Sequence, residues 1–347
     1  MKIDERIDAF ARLGEVLRTS LSGNGTPEAA GLNEIIDRQH LSNPWFTPEN
    51  VRTAIASIAA ELTSGSLTEW TSHYPDLQSE NSPFTAGVIM AGNIPLVGFH
   101  DFLSVLISGN RLTAKTSSKD SELIVKIAEI LCAIEPRFSG MIVFTEGFLK
   151  NFDVVIATGS NNSSRYFEYY FGRYPHIIRK NRNSIAIIDG NETEAELTGL
   201  GSDIFLYFGL GCRNVSKIYI PEGFDIRSLI PFWQSFSAIV NHNKYANNYD
   251  FSKAVYLVNR EKFLDTGYLL LKEEKGLSSP VAVIYYDYYK SLPALHAETE
   301  ELKDKIQCIV GHHHLPFGKA QLPHLWDYAD GIDTLEFLSK KNNAGIL

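Results

Sequence analysis

Residues Thr85 to Ala91, Thr-Ala-Gly-Val-Ile-Met-Ala, are apolar without alternation, the pattern of a strand buried on both faces of a parallel sheet. Gly92-Asn93-Ile94-Pro95 ends the run, and Val97 to Ser108 reads as a helix. Arg111 to Lys115 is the next strand, followed by Thr116-Ser117-Ser118-Lys119 and an amphipathic helix over Asp120 to Ala133. Met141 to Phe144 and Val154 to Ala157 continue the alternation, and Thr158-Gly159-Ser160 opens a helix over Asn162 to Phe171. Strand, turn and helix at this interval imply βαβ units on a parallel sheet. Ligands of such sheets bind at the carboxyl ends of the strands, where Asn93, Lys115 and Ser160 fall.

The flanking chain is expected to be simpler. Ile3, Ile7, Phe10, Leu13 and Leu17 lie at helical spacing, and a second helix starts near Thr47-Pro48 and runs to Leu62. Trp70 to Pro83, polar and proline-marked, reads as an exposed connection. His176 to Arg179 and Ser184 to Ile188 are two more apolar strands, and a second unit starts there. It is expected to hold a helix over Ala195 to Phe208, a strand at Lys217 to Ile220, a helix over Phe224 to Val240, strands at Ala254 to Val258 and Pro280 to Tyr285, a helix over Pro293 to Lys303 and a strand at Ile306 to Val310. The expected division is residues 1–181, 182–314 and a C-terminal segment 315–347 that packs back near the domain interface.

Within the second unit, Gly209-Leu210-Gly211 ends a helical stretch, presents Cys212 and passes into a strand. Glycines on both sides of Leu210 permit backbone angles closed to other residues. Backbone N–H groups at such a turn lower a thiol pKa and hydrogen-bond an oxyanion. On the residues alone, a nucleophile and a small buried cysteine at a tight turn are both open readings.

Other classes fall away on composition. A net charge of −9 and a pI near 5.6 argue against a nucleic-acid binder or a polybasic membrane anchor. The three cysteines, Cys132, Cys212 and Cys308, are odd in number and form no CxxC, so neither a disulfide framework nor a zinc site is expected, and a cytoplasmic location fits. Cys132 and Cys308 read as core. Neither a signal peptide nor a membrane span is expected. His312-His313-His314 would point to alternate faces of an extended segment, so no metal is expected there. Gly-x-Gly-x-x-Gly and the P-loop lysine motif are both absent.

Five segments in order resemble the aldehyde dehydrogenase superfamily, and within it the fatty acyl-CoA reductase family of bacterial bioluminescence. Ala91-Gly92-Asn93-Ile94-Pro95 is similar to the superfamily's asparagine–proline turn, Leu112-Thr113-Ala114-Lys115 to its cofactor lysine strand, Thr158-Gly159-Ser160 to its nicotinamide-side turn, and Gly209 to Lys217 to its nucleophile segment. Asp327-Tyr328-Ala329-Asp330-Gly331-Ile332-Asp333-Thr334-Leu335 resembles the reductase branch in particular. The resemblance implies an aldehyde dehydrogenase-like α/β fold, a Rossmann-type parallel-sheet cofactor domain plus a second α/β catalytic domain. A Rossmann-type sheet of this superfamily binds NAD(P) without the glycine fingerprint.

The resemblance also implies a chemistry. Cys212 would attack an acyl thioester, release coenzyme A and leave a thioacyl enzyme, which hydride from NADPH would reduce to an aldehyde, long-chain or otherwise hydrophobic. Asn93, with the Cys212 backbone N–H, would bind the developing oxyanion. Lys115, Ser117, Thr158, Gly159 and Ser160 would contact the cofactor, and Lys115 with the hydroxyls and second cation of Thr116-Ser117-Ser118-Lys119 favours NADP over NAD. Superfamily members that hydrolyse the intermediate use a glutamate, and the matching stretch Ile178 to Ser184 holds no acid. Gly276 stands where many members carry a ribose-binding glutamate, with Glu273 and Glu274 as nearby substitutes. The rival readings are an NAD(P)-dependent aldehyde dehydrogenase and a catalytically impaired partner-binding subunit. An acyl-transferase or synthetase partner is implied. Trp70 to Pro83 is poorly suited to add strands to a neighbour, so a monomer or dimer is expected.

Overall fold

Helix α1 (Ile3–Leu21) buries Ile7, Phe10, Leu13 and Leu17, one face at a period near 3.6, as the sequence requires. It packs on α3 (Pro48–Glu61), which Thr47 caps through the Asn50 N–H with Pro48 in the first turn. Helices α2 (Leu32–Ser42) and α4 (Ser64–Ser72) complete this cover. The computed structural model describes residues 1–78 and 82–340.

The chain forms two units, one made of Met1–Lys180 with His324–Leu347 and the other of Asn181–Pro323. The first holds a five-stranded sheet of β1 (Thr85–Ile89), β2 (Arg111–Lys115), β3 (Ile142–Thr145), β4 (Val154–Thr158) and β5 (His176–Arg179), all parallel, in the order β3-β2-β1-β4-β5. The crossover helices are α5 (Phe99–Ile107), α6 (Glu122–Ile134) and α7 (Asn161–Phe171). Ala86, Val88, Leu112, Ala114, Val154 and Ile156 are buried, so the unbroken apolar runs do mark a sheet covered on both faces. The strand order reverses direction between β1 and β4, and in an open parallel sheet the crevice at that reversal is where ligands bind.

The second unit carries β6 (Asn183–Ile187), α8 (Glu194–Phe205), β7 (Val215–Pro221), α9 (Asn243–Val258), β8 (Leu264–Asp265), β9 (Leu270–Glu273), β10 (Val283–Tyr289), α10 (Leu292–Glu301) and β11 (Ile306–Val310). The sheet runs β11-β6-β7-β10-β9-β8, parallel except for the β8–β9 pair. A last helix, α11 (Thr334–Lys340), belongs to the first unit.

Three expectations are corrected. Ala254 to Val258 is the end of helix α9, not a strand. Tyr245, Tyr249, Ser252 and Tyr256 are its buried side, at steps of four, three and four, so the short apolar run is the close of a helical face. The stretch Ile226–Asn241 is a run of 3-10 turns with Pro231 inside, where the missing N–H prevents a regular α-helix. Trp70 to Pro83 is not simply an exposed connection: Trp70 lies in α4, and Trp70 and Leu77 are buried. Residues 79–81 of that stretch lie outside the described residues.

Candidate active site

At the carboxyl ends of β1 and β2, two loops are laced together. The Asp120 carboxylate accepts the Leu96 N–H at 2.7 Å, and the Asp120 N–H donates to the Ser117 carbonyl at 3.0 Å. Leu96 sits at φ 58°, a left-handed angle costly to a branched residue, and the Asp120 bond holds it there. A Cβ at Gly92 would collide with Ser117 Oγ, so Gly92 is required for the close approach of the loops. Asn93, between Gly92 and Leu96, is exposed at the surface of this construction. Asp120 itself is 5% exposed, and burial pushes its pKa up to about 7.

The other expected cofactor residues lie on the same edge of the sheet. Lys115 ends β2 with its ammonium 5.8 Å from the ring centre of Phe148, which is largely exposed. Thr158 ends β4 and accepts a hydrogen bond from Arg179 Nη1 at 3.4 Å. Ser160 caps α7 by accepting the Ser163 N–H at 3.2 Å, and a Cβ at Gly159 would press on Phe167 and Ser163. Lys115, the hydroxyls of Ser117, Thr158 and Ser160, and the capped N-terminus of α7 thus all follow the carboxyl ends of β2 or β4, the edge at which ligands of such sheets bind.

In the second unit, α8 ends at Phe205, and Tyr207, Phe208 and Gly209 follow with φ of 53°, 59° and 75°. Of the two expected glycines, only Gly209 uses a positive φ, and the other left-handed positions fall on aromatic residues whose side chains are buried. Phe208 packs against His242 with ring centres 4.3 Å apart. Cys212 then emerges exposed, in a turn closed by the Asn214 N–H to the Gly211 carbonyl at 3.1 Å. Cys212 is therefore an exposed residue, and the reading of a buried turn cysteine does not hold.

Two residues around Cys212 were not singled out from the sequence. Asn214, 3% exposed, accepts the Gly211 N–H at 2.8 Å and donates to the carbonyls of Asp203, Ile204 and Leu206. Ser184 Oγ, from β6, donates to the Cys212 carbonyl at 2.9 Å, accepts the Cys308 N–H at 3.2 Å and lies 3.0 Å from Cys308 Sγ. The only sequence signal for Asn214 was its place two residues after the cysteine. Ser184 carried none, because strand pairing brings it there. Cys132 and Cys308 are both half-buried, less enclosed than expected.

Lys217, on β7, is fully buried. Its ammonium donates to the Glu274 carbonyl oxygen and lies 3.6 Å from Asp287, while desolvation pulls its pKa down. The Glu274 carboxylate is taken by Lys272 Nζ at 3.0 Å and the Lys275 N–H at 2.9 Å. The three histidines are not extended. His313 has φ 64°, and the His314 N–H closes a turn onto the Gly311 carbonyl. His312 is held between Asp189 at 2.8 Å and Glu196 at 3.2 Å, with Glu192 close enough that Asp189, Glu192 and His312 each present a ligand-type atom within 4.8 Å of the others.

The stretch that resembles the base-bearing segment of the superfamily ends β5. Arg179 there is 4% exposed, with Nη1 2.5 Å from Asp101 and Nη2 2.8 Å from Thr334. Among the described residues no helix is long and apolar enough to cross a membrane.

Comparison with known proteins bears on the whole arrangement. The family model described as Acyl-CoA reductase (LuxC) matches residues 30–228, more than half of the chain and all of the elements from α2 to β7. The chain belongs to the LuxC acyl-CoA reductase family. Within curated proteins, the LuxC-type chain is 24% identical over 205 residues to the long-chain acyl-protein thioester reductase of Aliivibrio fischeri, covering 54% of this chain and 42% of that protein. It is 23% identical over 146 residues to the protein of the same name from Photorhabdus laumondii subsp. laumondii, covering 38% and 30%. The matched stretches thus span less than half the length of these relatives. Among solved structures, aldehyde dehydrogenase 21 from Physcomitrella patens superposes with a TM-score of 0.65 at 13% identity, covering 90% of this chain and 74% of that one. NAD-dependent aldehyde dehydrogenase from Sinorhizobium meliloti gives 0.64 at 14%, covering 89% and 70%. The LuxC-type chain therefore has the aldehyde dehydrogenase-like α/β fold that its five segments implied.

Proposed function

We propose that this chain reduces an acyl thioester, carried by coenzyme A and hydrophobic in its acyl part, to the aldehyde through a thioacyl intermediate on Cys212. The observation that carries the reading is the exposed residue Cys212 on a turn whose neighbouring peptides are tied by Asn214 and Ser184. The thiolate adds to the thioester carbonyl, and collapse of the adduct expels the coenzyme A thiolate and leaves Cys212 acylated. Asn93 is the proposed side-chain donor to the oxyanion, and loss of one such donor costs about 10²–10³ in rate. Lys115, Ser117, Thr158, Gly159 and Ser160 are the residues proposed to hold NADPH. Bound there, the cofactor supplies the hydride that takes the acyl carbon to the aldehyde level. Collapse of the resulting hemithioacetal then releases the aldehyde and returns the Cys212 thiolate. The overall balance is thioester, NADPH and one proton going to aldehyde, thiol and NADP.

The absence of any acid from Ile178 to Ser184, with Arg179 engaged by Asp101, supports reduction over hydrolysis, because no base is supplied there to activate water. An acidic chain with scattered cysteines supports action in a reducing cytoplasm, and the resemblance to the luminescence family supports an acyl-transferase or synthetase as the source of substrate. The names of the curated relatives support a thioester substrate and leave a protein-bound thioester as the competing carrier.

The test is incubation with acyl-CoAs of graded length and with an acylated carrier protein, following NADPH oxidation and aldehyde together. Wild type is expected to form aldehyde, while Cys212→Ala loses the reaction and binds NADPH within a few-fold of wild type. Aldehyde formation by Cys212→Ala overturns the assignment. Lys115→Ala is expected to raise the KM for NADPH much more than that for NADH, since the lysine is assigned to the extra phosphate. Equal effects on the two cofactors withdraw the NADP preference.

A further inference from the structure

We propose that Asn214 and Ser184 are positioning residues for Cys212, and that the reactivity of the thiol depends on the two ties they make rather than on the glycines alone. The proposal rests on Cys212 being the nucleophile. Its geometry starts at Leu206, whose carbonyl receives Asn214 Nδ2 at 2.8 Å. The chain then winds through three successive left-handed residues and reaches Gly211, whose N–H returns to Asn214 Oδ1 at 2.8 Å. A single buried amide therefore spans the run from Leu206 to Gly211.

That run is strained. A left-handed angle is costly to a residue with a Cβ, and Tyr207 and Phe208 both adopt one. The Asn214 hydrogen bonds, at both ends of the run, oppose that strain. Burial of the Tyr207 and Phe208 side chains anchors the start of the loop, but Gly211 has no side chain to anchor it. Its N–H bond to Asn214 is thus a restraint on the nucleophile side of the loop.

Capping of α8 alone would need only the amide donors, which reach the carbonyls of Asp203, Ile204 and Leu206. The acceptor Oδ1 instead takes the Gly211 N–H, in the Leu210–Gly211 peptide next but one before the Cys212 side chain. On the far side of the cysteine, Ser184 fixes the Cys212 carbonyl from a fully buried position on β6. The hydroxyl has one proton and gives it to that carbonyl, so the 3.0 Å contact with Cys308 Sγ has the thiol as donor and the serine oxygen as acceptor. The peptide after Cys212 is held by the Ser184 side chain, and the one before it by the Asn214 N–H on the Gly211 carbonyl, with the Asn214 side chain holding the peptide one step further back. That fixes the direction in which the Cα–Cβ bond leaves the turn.

The experiment is carbamidomethylation of Cys212 by iodoacetamide across pH, with the Cys212 peptide resolved from those of Cys132 and Cys308 by mass spectrometry. It is run on wild type, Asn214→Ala and Ser184→Ala, with near-UV circular dichroism to establish folding. Each variant is expected to alkylate at Cys212 about ten-fold more slowly at neutral pH with a displaced pH midpoint, because thiolate fraction and orientation both depend on the turn. In the reductase assay kcat is expected to fall about 10²-fold, the scale of a 1 Å misplacement, with the KM for NADPH within two-fold. If Asn214→Ala does not fold, Ser184→Ala decides. A folded variant with the wild-type alkylation rate and midpoint overturns the proposal. Altered alkylation in a protein that makes no aldehyde even as wild type leaves the positioning in place and overturns the proposed reaction instead.

Discussion

Asp120 illustrates how much a single side chain can carry without being visible in a sequence. One carboxylate oxygen holds the Leu96 N–H, and the other is buried with no hydrogen-bond partner among the described residues. Burial raises its pKa to about 7, so the folded protein binds this proton more tightly than the unfolded chain, in which an aspartate titrates near 4. Stability should therefore fall as pH rises from about 4 to about 7 and level off above, the direction linkage requires when the native state holds the extra proton. Asp203, raised to about 6 by burial, adds to the same trend. Replacing Asp120 by Asn keeps an acceptor for Leu96 and removes the titration, so urea unfolding of Asp120→Asn between pH 4 and 7 should show a shallower slope than wild type. An unchanged slope would mean that Asp120 is ionised in the folded protein. The exposed turn that presents Cys212 was legible because its glycines, its helix and its strand are all neighbours in sequence. Asn214, Ser184 and Asp120 were not, because their roles lie in bonds that sequence spacing does not encode.

Elements were legible where they were long or continuously apolar, and least so where a short run served two periods. The five strands of the first unit and helices α1, α3 and α6 follow from their patterns, whereas the end of α9 was misread as a strand because five residues cannot separate a period of 2 from one of 3.6. The C-terminal Asp327 to Leu335 motif acquires a physical meaning that order alone could not give. The Tyr328 hydroxyl receives Trp70 Nε1 and meets the Tyr74 hydroxyl, each at 2.7 Å, Asp333 accepts from Tyr74 at 2.7 Å, and Thr334 accepts from Arg179. These bonds tie α11 and the segment before it to α4 and β5. Tyr328→Phe removes the acceptor of a buried indole N–H and should destabilise the first unit by about 1–3 kcal/mol. A midpoint of chemical unfolding within error of wild type would show that another acceptor takes the indole proton.

At the scale of the molecule, assembly follows from what Trp70 to Pro83 does. Trp70 and Leu77 are spent inside the first unit, and Asp76 and Pro75 belong to a 3-10 turn rather than a strand, so this stretch offers little that could extend a neighbour's sheet. Sedimentation at micromolar concentration is expected to give a monomer or dimer, and a stable tetramer would contradict it. The two-unit division also has an order in time. The first unit is built from Met1–Lys180 and His324–Leu347, with Asn181–Pro323 between them. A ribosome emits the chain from its amino end at roughly 5–20 residues per second, and domains tend to fold as they emerge. The second unit is then whole while the first still lacks Tyr328 and Thr334. For the seven seconds or more that about 140 residues take at that pace, Trp70 and Arg179 wait for partners that have not yet been made. The unit begun first is the one finished last.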